Sequence, residues 1–144
     1  MNKIRNNLYV GNAKDATNAT YLKKEKITAI LNVAYEVNDP IYSITDIRTH
    51  KVGLADSSDN SKPVRQLAID TLKSLLQAKE KVLVHCGAGQ SRAVFVTCFA
   101  LADLENKDPH DIFEEVRNER PFAMKGGLWL DFGYKPIGYA EEDN

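Results

Sequence analysis

The most informative stretch of this sequence is the octapeptide HCGAGQSR, residues 85–92, which follows the short apolar run Val82-Leu83-Val84. Residues 93–104 come directly after it and are apolar nearly all the way round, which predicts a helix buried on most sides. The octapeptide is therefore predicted to form the loop that joins a buried strand to a helix. In open α/β sheets, ligands bind at such loops, at the carboxyl ends of the strands.

The composition of this loop favours the binding of an anion. Its two glycines allow several backbone N–H groups to point inward, and the following helix adds positive potential from its N-terminus. Arg92 would supply a planar guanidinium that can hold two phosphate oxygens at once. The residues expected to cradle a phosphate are Gly87, Ala88, Gly89, Gln90, Ser91 and Arg92.

Cys86 lies at the mouth of this predicted anion site. The field that favours a bound oxyanion also favours a thiolate, and a thiolate facing a held phosphate is a nucleophile that would form a thiophosphate ester. No metal or cofactor is expected, because the backbone N–H groups and Arg92 would neutralise the phosphate oxygens. Without the surrounding loop residues, a cysteine after an apolar strand is more often a small core residue. Cys98 is predicted to lie in the middle of a helix, and we interpret it as such a core residue.

Strands and helices alternate on both sides of the loop, which predicts one α/β domain over residues 1–144, with a central, mostly parallel sheet and helices on both faces. The predicted strands are residues 8–11, 27–33, 82–84 and, more weakly, 46–52, with a loop over 53–62. The predicted helices are residues 20–26 after Asn18, a helix from Pro63 to Leu76, residues 93–104, one from Asp108-Pro109 to Arg120-Pro121, and a short one near Trp129.

The composition excludes several classes of protein. The chain has 144 residues, 43% hydrophobic and 27% charged, with a formal net charge of −1, and is neither disordered, collagen-like nor a disulfide scaffold. Without a basic excess, nucleic acid and anionic membranes are poor candidates for partners. We expect the protein to be cytoplasmic, because it has only two cysteines, residues 1–7 are polar and no long apolar run is present. A monomer is the default expectation for its oligomeric state.

The octapeptide matches the Cys-x5-Arg signature of the protein tyrosine phosphatase superfamily, and the sequence resembles most closely the dual-specificity phosphatases. Residues 8–13, 27–34 and 116–121 resemble that family's first strand, first core strand and late helix end. The resemblance implies a cysteine-dependent phosphatase fold and a phosphatase that acts on phosphotyrosine, and on phosphoserine and phosphothreonine, in proteins. The reaction would pass through a cysteinyl-phosphate intermediate.

The resemblance also implies roles for two further residues. A general acid is expected about thirty residues before Cys86, where Asp56 is the match by position; chemistry alone leaves Asp59 on the same loop as the alternative. His85 resembles the family's buried histidine, which orients the loop and favours the thiolate. Read without the resemblance, a single histidine at a strand end is more often a core residue.

Two departures from the family pattern bear on the activity. Ala93 stands where the family usually has Ser or Thr, a hydroxyl thought to assist breakdown of the intermediate, and residues 122–126 lack the usual Pro-Asn segment. A low-turnover phosphate-binding module is therefore the alternative. A sulfur transferase or arsenate reductase is a third interpretation, which the five residues between Cys86 and Arg92 and the late position of the cysteine disfavour. The loop carries no basic residue before Arg92, which argues against polyphosphoinositides and RNA 5′-triphosphates.

Overall fold

Five strands from residues 2–85 form the centre of the described structure. The computed structural model describes residues 1–38, 47–56 and 60–132. The strands of this part of the chain are β1 (Asn2–Arg5), β2 (Leu8–Gly11), β3 (Ala29–Ala34), β4 (Arg48–Leu54) and β5 (Val82–His85). They form one sheet in the order β1-β2-β5-β3-β4, in which β1 is antiparallel to β2 and the other pairs are parallel. The predicted mostly parallel sheet is confirmed.

Helices cover both faces of this sheet. The α-helices are α1 (Ala19–Lys24), α2 (Lys62–Gln77), α3 (Arg92–Glu105) and α4 (Pro109–Glu119), and 3-10 turns lie at Asp15–Thr17 and Gly127–Phe132. Because side chains alternate along a strand, Val82 and Val84 of β5 contribute to the large core under α2, α3 and α4, whereas Leu83 joins the small core under α1. The prediction of helices on both faces is confirmed.

The helices α1, α2 and α4 begin at polar residues whose side chains cap their first turns. Asn18 accepts a hydrogen bond from the N–H of Tyr21 at 3.1 Å, and Asp108 accepts one from the N–H of His110 at 2.7 Å, as their positions in the sequence predicted. The helix predicted from Pro63 begins one residue earlier, at Lys62, and has Ser61 as its cap. The sequence therefore located the four α-helices of the described residues to within a few positions.

The helix that follows the octapeptide is the most buried helix in the described structure. Every residue of α3 from Arg92 to Ala102 is buried, including Phe95 and Phe99, whose rings pack on the fully buried Trp129. A helix enclosed in this way cannot shift without opening the core. Its N-terminus, and with it the end of the octapeptide, is therefore fixed in place by the packing of the core. Among the described residues, no helix is long and apolar enough to cross a membrane.

Strand β1 and the ends of β3 and β4 differ from the prediction. The segment Asn2–Arg5 is polar, and only Ile4 is buried, so β1 forms because its backbone pairs with β2 across a two-residue turn. Strand β3 begins two residues later than predicted, at Ala29. Strand β4 continues to Leu54, so two residues of the predicted loop belong to the sheet. The pairing of β3 with β4 and β5 decides where these strands begin and end. The side-chain pattern alone does not reveal that pairing.

Candidate active site

The loop between β5 and α3 turns a run of consecutive carbonyl groups toward the surrounding protein. Their hydrogen bonds are Ala13 N to Gly87 O at 3.0 Å, Arg120 Nη2 to Ala88 O at 3.4 Å, Arg120 Nε to Gly89 O at 2.7 Å, and Met124 N to Gln90 O at 2.8 Å. In a trans peptide the C=O and the following N–H point in opposite directions, and the described chain contains no cis peptide. The N–H groups of residues 88–91 are therefore directed to the inner side of the loop.

Cys86 lies on this inner side. Its Sγ atom accepts a hydrogen bond from the N–H of Gly89 at 3.2 Å, and the residue is only 2% exposed. A cavity of about 40 Å³ opens beside it, lined by Asp56, Cys86, Ala88, Gln90, Ser91, Arg92 and Met124. The structure thus brings the sulfur, the guanidinium-bearing residue and one of the two candidate acids together around a single small cavity.

The two glycines of the loop have different roles. Gly89 has a φ of +68°, and a Cβ atom there would lie 2.4 Å from Arg120 Nη2 and 2.5 Å from the carbonyl oxygen of Gly11. Only glycine meets both requirements, a left-handed backbone and contact with a neighbouring chain segment. At Gly87 the atom nearest to an added Cβ would be Arg92 Nη2 at 3.5 Å, an ordinary contact distance.

Arg92 is held from two sides by groups outside the loop. Its Nη1 donates to Glu36 Oε2 at 2.6 Å and to the carbonyl oxygen of Leu54 at 2.9 Å, and its Nη2 donates to Glu36 Oε1. A guanidinium has five N–H donors. These bonds use both donors of Nη1 and one of Nη2. The Nε–H and the second Nη2–H, which lie along one edge of the group, have no acceptor among the described residues.

The ion pair with Arg92 makes the Glu36 carboxyl more acidic. The hydrogen bonds from the Arg92 guanidinium lower the pKa of the Glu36 carboxyl from 4.5 to about 2, although partial burial acts in the opposite direction. The carboxylate is therefore charged throughout the physiological range. A permanent negative charge keeps the guanidinium in one orientation, with its remaining two-donor edge available to a tetrahedral anion.

The other predicted site residues lie close to the loop or outside the described part. Asp56 follows β4 by two residues, is exposed and lines the cavity, whereas Asp59 lies outside the described residues. His85 ends β5 and is fully buried, with Nδ1 3.4 Å from the carbonyl oxygen of Cys86. Ser91 is buried, and a Cβ atom at Gly126 would lie 2.4 Å from its Oγ, so the 122–127 segment packs closely against the loop.

Cys98 lies in a different environment from Cys86. It is fully buried in the core on α3, and burial raises the pKa of its thiol well above the ordinary value. Both cysteines are free thiols. The core position predicted for Cys98 is confirmed, whereas Cys86 lines the small cavity described above.

Two residues of the site, Glu36 and Arg120, were not identified from the sequence. A signal for Glu36 was available, since it follows β3 by two residues just as Asp56 follows β4, while Cys86 directly follows β5. The carboxyl ends of parallel strands lie at one edge of a sheet, so polar residues in these positions converge. Arg120 lies within residues 116–121, whose resemblance to the family's late helix end marked the segment but gave this residue no role.

Comparison with known proteins agrees with this geometry. Residues 8–130 match the family model described as dual specificity phosphatase, catalytic domain. The chain is 32% identical over 135 residues to dual specificity protein phosphatase 18 of Pongo abelii, covering 90% of this chain and 69% of that protein. It is 30% identical over 115 residues to dual specificity protein phosphatase Mpk3 of Drosophila melanogaster, covering 79% of this chain but only 28% of the fly protein.

The fold agrees with the sequence match. The crystal structure of DUSP15 superposes with a TM-score of 0.80 at 26% identity, covering 93% of this chain and 87% of that one. The family match spans most of the chain, and it includes the octapeptide, both flanking elements and the strand that precedes Glu36. This chain belongs to the dual specificity phosphatase family.

Proposed function

We propose that this protein is a protein phosphatase that hydrolyses phosphotyrosine, and also phosphoserine and phosphothreonine, through a cysteinyl-phosphate intermediate on Cys86. The observation that carries the proposal is the convergence of four inward N–H groups, of residues 88–91, and Arg92 on the cavity beside the Cys86 sulfur. We further propose that residues 1–144 form one catalytic domain, which works in the cytoplasm as a monomer.

In the first step, the Cys86 thiolate attacks the phosphorus atom and the bond to the leaving oxygen breaks. Asp56, which lines the same cavity, donates its proton to that oxygen, so the alcohol or phenol departs neutral. The three remaining phosphate oxygens keep their contacts with the loop N–H groups and Arg92. Because these donors are already aligned, they stabilise the charge of the transition state without reorganisation.

In the second step, the Asp56 carboxylate accepts a proton from water, and the water oxygen attacks the phosphorus atom. The P–S bond breaks, and inorganic phosphate and the Cys86 thiolate are released. The hydroxyl that relatives usually carry after the arginine is replaced by the buried Ala93. The departing sulfur therefore lacks one hydrogen-bond donor, and this step is the slower one.

Glu36 supports the proposed site by orienting Arg92. The carboxylate binds the Nη edge of the guanidinium, and the Leu54 carbonyl binds Nη1, so the Nε–Nη2 edge is left for two phosphate oxygens. A two-point contact of this kind fixes the plane of the phosphate as well as its distance. Glu36 thus assists substrate binding without competing for the same donors.

The surroundings of the cavity favour phosphoproteins as substrates. The cavity is small, with Met124 on its rim at 51% exposure, and the loop carries no basic side chain before Arg92. A shallow site reaches the short phosphoserine as well as phosphotyrosine. Polyphosphoinositides carry several phosphates and need more cationic side chains than this site offers.

The proposal is tested by replacing the sulfur nucleophile. We expect Cys86→Ser to abolish hydrolysis of a small aryl phosphate while keeping binding of a phosphopeptide, because an alcohol at this position is not ionised. Cys98→Ala is the matched control and should stay within about twofold of the unmodified protein, since Cys98 lies in the core away from the cavity. Activity that survives in Cys86→Ser contradicts the mechanism.

Ala93 supports one alternative, a phosphate-binding module with little turnover. The unmodified protein distinguishes the two functions when assayed on phosphotyrosine, phosphoserine and phosphothreonine peptides beside a phosphoinositide panel. Hydrolysis of phosphopeptides supports the phosphatase. Tight phosphopeptide binding with no phosphate release between about pH 5 and 8 supports the binding module.

A further inference from the structure

Arg120 is a buried cation whose side chain contacts the outward carbonyl groups of the loop between β5 and α3. It is 3% exposed and lies at the end of α4, with the ring of Phe122 4.3 Å from its Cζ. Its hydrogen bonds are Nε to Gly89 O at 2.7 Å, Nη2 to Ala88 O at 3.4 Å, Nη1 to Asn2 Oδ1 at 2.6 Å, and Nη1 to Val10 O at 3.4 Å. All three nitrogens are engaged, so the guanidinium has one position.

Two of these bonds determine where the loop N–H groups point. The Ala88 carbonyl belongs to the same peptide as the Gly89 N–H, which donates to Cys86 Sγ at 3.2 Å. The Gly89 carbonyl likewise belongs to the peptide of the Gln90 N–H. Because C=O and N–H of a trans peptide are opposed, pulling both carbonyls toward Arg120 directs both N–H groups toward the anion. A loop with glycine at its centre would otherwise be free to rotate these peptides.

The charge of Arg120 acts in the same direction. Within the described part of the chain, no carboxylate forms a salt bridge with its guanidinium, and burial lowers its pKa, so the cation is poorly compensated. A poorly compensated buried cation attracts a nearby anion strongly, because the low local dielectric screens it little. The Cys86 thiolate, which the mechanism requires, is an anion that interacts electrostatically with this guanidinium.

We propose that Arg120 is a positioning residue of this site, which holds the Gly89 and Gln90 amides toward the phosphate and stabilises the Cys86 thiolate. Asn2 of β1 and the Val10 carbonyl of β2 hold the guanidinium in turn, so the antiparallel edge of the sheet takes part in forming the site. The inference rests on the proposed use of Cys86 as the nucleophile.

The test compares Arg120→Met, which removes both the charge and the donors, with Arg120→Lys, which keeps the charge but lacks the planar fork. The exposed Arg117 on the same helix supplies the matched control, Arg117→Met. All variants carry Cys98→Ala, so that alkylation reports on Cys86. For each we measure folding by circular dichroism, vanadate affinity, kcat and KM on an aryl phosphate, and the rate of iodoacetamide alkylation against pH.

Several other groups influence that alkylation profile and are unchanged in the series. They are His85 beside Cys86, Arg92 on α3, Glu36 after β3, Asp56 after β4, and Asp15, which interacts electrostatically with Arg120. We expect Arg120→Met to shift the alkylation midpoint up by about one pH unit, weaken vanadate about tenfold and lower kcat/KM by about a hundredfold. In Arg120→Lys the midpoint should stay within about half a unit, while vanadate affinity still falls about tenfold.

The proposal is overturned if folded Arg120→Met keeps the alkylation profile and vanadate affinity of Arg117→Met, since the residue would then serve only the end of α4. If neither Arg120 variant folds, Asn2→Ala decides, because it frees the guanidinium without removing it. Weaker vanadate binding in Asn2→Ala supports the proposal, and unchanged binding overturns it. Alkylation and vanadate binding need no turnover, so they test Arg120 even if the protein proves not to hydrolyse phosphoesters.

Discussion

Arg92 and Glu36 form a two-point ion pair across 56 positions of sequence, with Nη1 2.6 Å from Oε2 and Nη2 bonded to Oε1. The arginine begins α3 and is buried, whereas the carboxylate follows β3 and is half exposed. The pair therefore connects the phosphate loop to a neighbouring strand of the sheet. Its consequence is a guanidinium whose orientation is set before any phosphate arrives.

Replacing the Glu36 carboxylate, which orients Arg92, should weaken phosphate binding without abolishing it. We expect Glu36→Gln to lower kcat/KM about tenfold, mainly through KM, because the amide binds the guanidinium less tightly and leaves it free to turn. Glu114→Gln, at an exposed position on α4, is the matched control. Steady-state kinetics on an aryl phosphate and vanadate inhibition make the measurement. Unchanged KM and vanadate affinity in Glu36→Gln would show that Arg92 needs no such partner.

The same pair predicts a pH dependence of stability. The pKa of Glu36 is about 2 in the folded protein against an ordinary 4.5. A carboxyl with a depressed folded pKa stabilises the protein above the unfolded pKa, and this contribution is lost as the pH falls from about 4.5 toward 2. Since solvent screens the half-exposed carboxylate, we expect it to contribute about 1 kcal/mol or less at neutral pH.

Urea unfolding of the unmodified protein and Glu36→Gln measures this contribution. The difference in the free energy of unfolding should be greatest above about pH 5 and should shrink progressively at lower pH. A difference that stays constant down to about pH 3 contradicts the assignment of the low pKa to Glu36.

Asp56 lines the cavity, whereas Asp59 lies outside the described residues. Activity measurements on variants therefore decide which of the two is the general acid. We expect Asp56→Asn to lower kcat about a hundredfold with little change in KM, because it removes both the proton donor for the leaving oxygen and the base that activates water in the slower second step. Asp59→Asn is the comparison and should remain near the unmodified activity. The reverse result moves the role of general acid to Asp59.

Ala93 should make breakdown of the intermediate rate-limiting. Rapid mixing of the protein with an aryl phosphate should therefore show a burst of phenol release before the steady state. We expect Ala93→Ser to raise kcat about threefold to tenfold and to reduce the burst, because the new hydroxyl stabilises the departing thiolate. A progress curve that is linear from the start, with no trapped phosphoenzyme, contradicts this prediction.

The glycines of the loop provide a test of its geometry. Gly89→Ala places a Cβ atom 2.4 Å from Arg120 Nη2 at a φ of +68°, so we expect vanadate binding and activity to be lost. Gly87→Ala meets its nearest neighbour at 3.5 Å and should keep the activity within about tenfold. Equal effects of the two substitutions would mean that the loop does not hold its amides in the conformation described above.

Local patterns in the sequence were sufficient for the main elements of the fold. The apolar run before Cys86, the buried helix after Arg92, and the caps at Asn18 and Asp108 each act over a few neighbouring residues, so they could be read directly. The spacing of Cys86 and Arg92 likewise predicted the family. Strand β1 was not predicted because a polar strand of four residues has no hydrophobic pattern and forms only by pairing with β2.

By itself the sequence determined the chemistry available to the loop, since the residue types and glycine positions of an octapeptide are local properties. The tertiary structure alone decided what surrounds it. Glu36 and Arg120 lie 56 positions before Arg92 and 31 positions after Gly89, and only the parallel order of the strands and the packing of α4 bring them there. Side chains that act through contacts distant in sequence leave no periodic pattern, so Glu36 could be inferred only by assuming that the strands lie parallel in one sheet, and the contacts of Arg120 depend on the packing of α4.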